Sequence, residues 1–170
     1  LYEQAKVNNT RQKPTLIVAP LSLIQTWYDE VGKVFKVNPF KDMIRLQSDA
    51  DLPMFRVAGR ETYGVIDDEG VANISYSLKI GDQYKDDRLD IDGRIVITTY
   101  QTLSDYQFSL REIDWGMVVF DEAQNIKNPN TFQSRAARGL RADFKLVATG
   151  TPVENSLRDF WAMMETANTG

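Results

Sequence analysis

Apolar residues are not spread evenly along the chain but gather in short runs without polar alternation. TLIVA (15–19), RIVITTY (94–100), WGMVVF (115–120) and KLVAT (145–149) are four of these, rich in β-branched and aromatic residues. A strand covered on both faces has this pattern, because it has no solvent side to fill with polar residues. MIRL (43–46) is a shorter fifth run. Between the runs the spacing changes to that of a helix. From Ser22, Leu23, Trp27, Val31, Val34 and Phe35 recur every three to four residues, as one buried helical face requires. QTLSDYQFSL (101–110), a segment capped by Thr131 and running to Leu140, and SLRDFWAMMETA (156–167) read as three more helices, while residues 1–13 read as a helix end fading into a polar loop. Strand and helix alternate, which predicts an α/β, doubly wound domain: three layers, α-β-α, around a mainly parallel sheet.

Residues 55–81 break that alternation. Ile74, Tyr76, Leu78 and Ile80 alternate with Ser75, Ser77 and Lys79, and Asp67-Asp68-Glu69-Gly70 supplies a turn. The pattern predicts an antiparallel hairpin inserted in the α/β series. A solvent-side decoration is the first account of it, a partner-binding element the second. KDDRLDID (85–92) reads as a solvated loop.

Composition narrows the chemistry. The 170 residues fit one domain. Cysteine and histidine are both absent, which excludes disulfides, thiolate chemistry, Ser-His-Asp relays and the commonest metal ligand. An intracellular origin fits. Catalysis must rest on carboxylates, amides, hydroxyls and charge. A net charge of −4 and a pI near 4.9 exclude a polyanion binder that uses its whole surface. No apolar run reaches the roughly 20 residues that cross a bilayer. The first residue is Leu rather than Met, so the chain is expected to be a piece of a longer protein.

The run VVFDEAQNIKNP (118–129) puts Asp121 and Glu122 at the end of an apolar strand. Ligands of a parallel sheet gather beyond the carboxyl ends of its strands. Three polar clusters are expected to share that edge: Pro20-Leu21-Ser22, Asp121-Glu122-Ala123-Gln124 and Thr149-Gly150-Thr151-Pro152. An Asp there can hold Mg²⁺, and a Glu beside it can orient or deprotonate an attacking water. An acidic pair alone also caps turns or faces solvent, so the neighbours decide.

Those neighbours resemble the Swi2/Snf2 group of superfamily 2 helicase-like ATPases. FDEAQNIKNP looks like its motif II, here a DEAQ box; LVATGTPVENSL looks like motif III; TLIVAPLSLIQTWYDEV looks like motif Ia; VITTYQTL looks like the DNA-side motif that follows. The resemblance implies the first RecA-like lobe of a motor that hydrolyses ATP while translocating on double-stranded DNA to move or strip bound proteins. It implies Asp121 for Mg²⁺ and Glu122 for the hydrolytic water. Gln124 stands where the family often has His and would link the nucleotide site to motif III. Thr149, Gly150, Thr151 and Asn155 would couple γ-phosphate occupancy to movement. Pro20, Ser22, Thr98, Thr99 and Tyr100 would face the DNA backbone. Ser22 serves equally as a plain helix cap. Arg135, Arg138 and Arg141 read first as a solvated basic face, and Trp27 and Trp161 as core.

One expected part is absent from the sequence: no Gly-rich loop ends in Gly-Lys-Thr or Gly-Lys-Ser. In the family that loop lies just upstream of a helix whose tail resembles LYEQAKVNN, so residues 1–170 are expected to form a partial lobe, with the hairpin over 55–81, that begins past it. Such a piece is expected to bind no Mg²⁺ or ATP and to be inactive alone. It is also expected to lack one interior strand, leaving KLVAT as an open edge that invites self-association. A non-catalytic RecA-like module for DNA or protein binding is the alternative. Residence in the cytoplasm or nucleoid, or else the nucleus, is the matching expectation.

Overall fold

The computed structural model describes residues 11–34, 39–66, 72–150 and 165–167. Five strands form a parallel sheet: β1 (Thr15–Val18), β2 (Met43–Leu46), β5 (Ile95–Thr98), β6 (Trp115–Phe120) and β7 (Ala142–Val147), in the order β2-β5-β1-β6-β7. The three central strands are the uninterrupted apolar runs, and all four residues of β5 are buried. Their ends are in register: Val18 lies between Thr98 and Phe120, Leu46 beside Thr98, and Val147 beside Phe120.

Helix α1 (Ile24–Val34) covers one face of the sheet. Its Trp27, Tyr28 and Val31 pack on a cluster of Ile17, Ile95, Ile97 and Val119. The opposite face carries the larger cluster, with Leu16, Val96, Val118 and Phe120 from the strands. It is covered by α3 (Tyr100–Asp105), α4 (Gln107–Glu112) and α5 (Phe132–Gly139), which contribute Leu103, Leu110, Ala136 and Ala137. Burying each large side chain contributes about 1.5–3 kcal/mol. Trp115 is wholly enclosed, and its indole N–H donates to the Leu110 carbonyl at 2.9 Å.

Several expectations shift. The helix foreseen over 101–110 is two, broken at Tyr106, where ψ is 21°. A short α2 (Leu52–Phe55) and 3-10 turns over Asp82–Asp87 were not foreseen. β7 starts three residues before Lys145, because Ala142 and Phe144 pair beside Trp115 and Met117. The hairpin is present as β3 (Arg56–Ile66) and β4 (Ala72–Leu78). It is more than a decoration: Leu78 is in the core, Leu78 N–H donates to Ser109 Oγ at 2.9 Å, and Ser75 Oγ donates to the Asp105 carbonyl at 2.9 Å. Its foreseen turn over 67–70 lies outside the described residues, as does most of the last helix, of which 165–167 are helical.

Two devices set the entry side of the sheet. Gly93, at φ +75°, donates to the Gln12 carbonyl and accepts from Lys41 N–H, tying the leads into β1 and β2 together where a side chain would be strained. Arg94 is 6% exposed and makes a bidentate pair with Asp42, both bonds 2.7 Å, while it also donates to the Arg88 carbonyl. The three arginines of the expected basic face are held locally. Arg138 pairs with Glu165 and donates to the Pro129 carbonyl, Arg141 donates to the Glu112 carbonyl, and Arg135 lies over the Phe132 ring.

Candidate functional site

The exit ends of the parallel strands bring the polar clusters side by side in the order of the sheet: residues 98–100, 19–22, 121–124, then 148–150. Backbone bonds continue across this edge. Ala19 N–H donates to Thr98, Asp121 N–H to Val18, Ala148 N–H to Phe120, and Ala123 N–H to the Ala148 carbonyl, at 2.8–3.0 Å. The acidic pair therefore projects from the tip of a parallel strand with the 149–150 turn next to it.

Asp121 is fixed from several sides. Its Oδ1 accepts from Glu122 N–H at 2.9 Å, its Oδ2 accepts from the Trp27 indole at 2.8 Å, and its carbonyl accepts from the Tyr100 hydroxyl at 2.7 Å. Glu122 takes the left-handed conformation, φ 50° and ψ 52°. For a residue with a Cβ this costs about 1–2 kcal/mol, and such strain persists only where the surroundings enforce it. Here it turns the chain sharply off β6, so that adjacent carboxylates leave in different directions.

From Glu122 a relay runs to the next strand. The Gln124 amide donates to Glu122 Oε2, and its Oε1 accepts from the Thr149 hydroxyl at 2.8 Å. An amide offers one donor and one acceptor end, as a neutral imidazole does, so a glutamine can fill this bridging place. A Cβ on Gly150 would lie 3.5 Å from Glu122 Oε1, which places that turn against the carboxylate. Thr151, Asn155 and Trp161 lie outside the described residues.

The other cluster differs from expectation in three places. Ser22 does not cap a helix: a 3-10 turn over Leu21–Leu23 begins first, with Pro20 in the cap position, and Ser22 is exposed. Thr98 is fully buried and its hydroxyl donates to the Leu46 carbonyl at 3.0 Å. Tyr100 is 4% exposed, with its hydroxyl spent on Asp121. Both hydroxyls are spent on internal carbonyls and hold the edge together from inside. Burial, and then the charges of Asp121 and Glu122, push the Tyr100 phenol far above its ordinary 10.0. Thr99 is half-buried, and its Oγ1 caps α3 by accepting from Thr102 N–H at 3.1 Å. Trp27 is the residue that sequence reasoning missed. Its helical apolar spacing signals packing, and nothing in that spacing reveals where the indole N–H points.

A magnesium ion beside nucleotide phosphates asks for one or two carboxylates and keeps several waters. Asp121 fits that demand, since both oxygens are oriented and each retains a lone pair. Among the described residues no three His, Cys, Asp or Glu side chains form a metal-holding group.

The model of the SNF2-related domain matches residues 1–170. This chain belongs to the SNF2-related domain family. Its SNF2-related sequence is 34% identical over 170 residues to Zorya protein ZorD of Escherichia coli O139:H28, covering 94% of this chain and 14% of that one. It is 29% identical over 169 residues to the helicase-like transcription factor of Homo sapiens, covering 95% and 14%. Among solved structures, the SNF2-related chain matches a Sulfolobus solfataricus SWI2/SNF2 ATPase core in complex with double-stranded DNA, with TM-score 0.64 and 28% identity over 99% of this chain and 28% of that one. The described sheet is thus that of a RecA-like lobe. The chain spans about one seventh of the length of these curated relatives.

Proposed function

We propose that residues 1–170 are a partial first lobe, hairpin included, of a motor that hydrolyses ATP while moving along double-stranded DNA and displacing or repositioning bound proteins. The observation that carries this reading is the Glu122–Gln124–Thr149 relay at the exit edge of a parallel sheet. A binding module has no need of a strained carboxylate wired to the neighbouring strand. In this reading Asp121 holds magnesium, which supplies charge neutralisation at the phosphates. Glu122 orients the attacking water and accepts its proton. Gln124 passes the position of Glu122 to Thr149 and Gly150, from which Thr151 and Asn155 carry it onward. The exposed Ser22 with Pro20, and the α3 start at Thr99, meet the DNA backbone, contacts that position without reading sequence. The compartment this reading proposes for the intact protein is the cytoplasm or nucleoid of a bacterium, with a nucleus as the alternative.

The 170 residues contain no Gly-Lys-Thr or Gly-Lys-Ser loop, and alone they are proposed to be inactive, since such a loop supplies most ligands of the β- and γ-phosphates. Glu122→Gln in the intact protein tests the whole proposal. ATP turnover with DNA present should fall at least ~100-fold, the share a positioned base supplies, with DNA affinity retained. Wild-type turnover by this variant would overturn the reading.

A further inference from the structure

Four hydrogen bonds immobilise Asp121, and their origin is informative. The amide donates to Val18, the last residue of β1, and the carbonyl accepts from Tyr100, the first residue of α3. One carboxylate oxygen accepts from Trp27 of α1, the other from Glu122 N–H. Apart from the bond to its own neighbour, every restraint comes from the segments that flank the two loops on the far side of the edge. Residues 19–23 link β1 to α1, and residue 99 links β5 to α3.

We infer that Trp27 and Tyr100 are positioning residues that make the orientation of Asp121 depend on the links at residues 19–23 and 99. The inference rests on the function proposed above and extends it: a duplex seated on those links would act on the acidic pair through α1 and α3 as packed levers. The indole is suited to this. It is donor-only, and it sits one helical turn beyond Leu23 on a helix packed against the sheet through Tyr28 and Val31. Its backbone is thus placed by the packing of the whole helix. The Tyr100 hydroxyl is held in the interior, so the α3 start cannot shift without moving the Asp121 carbonyl. A ligand carboxylate whose outer hydrogen bond is removed typically loses 10–100-fold in metal affinity or activity.

The test uses the intact protein. Trp27→Phe keeps the aromatic packing and deletes the donor. DNA-stimulated turnover should drop about 10–100-fold, the magnesium concentration for half-maximal turnover should rise, and duplex affinity and thermal midpoint should hold. A readout without metal or nucleotide accompanies it. The indole N–H resonance missing in Trp27→Phe should move in Asp121→Ala, because its acceptor is gone. If Trp27→Phe is not stably folded, Tyr100→Phe, one oxygen smaller, carries the same kinetic expectation. An indole signal indifferent to Asp121→Ala, or full DNA stimulation in the folded variant while Glu122→Gln has none, would overturn the coupling. Undiminished hydrolysis by Glu122→Gln would instead overturn the ATPase reading itself.

Discussion

At the scale of single residues, the site is held by strain and burial that stability measurements can detect. Glu122 sits at φ 50°, where glycine is at ease and other residues are not. Glu122→Gly should therefore be more stable than Glu122→Ala by about 1 kcal/mol in denaturant unfolding, a gap that an unstrained backbone would not show. Tyr100 gives a pH signature. Its phenol is pushed up from 10.0 by burial and by its acidic neighbours, so the folded chain keeps the proton that the unfolded chain releases. Its contribution is complete below pH 10.0 and is lost as pH rises above that value. Wild type should exceed Tyr100→Phe by about 1 kcal/mol at neutral pH, and the two stability curves should converge in alkali. The clustering of Asp121, Glu122 and Gln124 at one strand end was legible in sequence, because consecutive residues after an apolar run share that end. Trp27 packs on the core as its spacing indicated, but its bond to Asp121 and the inward hydroxyls of Thr98 and Tyr100 were not legible, because the direction of a donor depends on tertiary neighbours that no local spacing encodes.

Among elements, the central strands were the most legible part of the chain, since a strand covered on both faces cannot hide its composition. WGMVVF was foreseen over the same residues that form β6. Boundaries set by pairing were not legible: Ala142 and Phe144 join β7 because Trp115 and Met117 are there to pair with. The break at Tyr106 has a similar origin, since α3 and α4 must both reach the hairpin. The Tyr106 ring meets Tyr76 of β4 in a tilted pair with centroids 5.7 Å apart, and Ser109 of α4 accepts the buried Leu78 amide. That docking explains why a polar serine is only 8% exposed. Ser109→Ala leaves the Leu78 N–H without its acceptor, and should cost about 1–3 kcal/mol with faster amide exchange at Leu78. Unchanged exchange there would mean that the hairpin is held by its apolar contacts alone.

On the scale of the whole molecule, the sheet ends in an asymmetry. β2 lies at one edge, and at the other β7 pairs only with β6 among the described residues. Phe144 and Leu146 of β7 are 48% and 43% exposed. They project from the face that bears Met117 and Val119, beyond the cover of α1. An apolar edge strand offers a row of backbone donors and acceptors to any chain of matching pattern. A second copy matches: antiparallel pairing centred on Phe144 sets Asp143 opposite Lys145, a favourable cross-strand pair. Two pulls oppose this: Lys145 already interacts within its own chain, and Asp143 receives Lys13 at 2.7 Å. That contact is exposed, and such pairs contribute at most about 1 kcal/mol, less than two large side chains gain on burial. The chain of residues 1–170 should accordingly show an average mass that rises with concentration in sedimentation equilibrium. Phe144→Glu with Leu146→Glu should return it to the monomer with its circular dichroism unchanged. A wild-type chain that stays monomeric up to its solubility limit would show that this edge is already covered within one molecule.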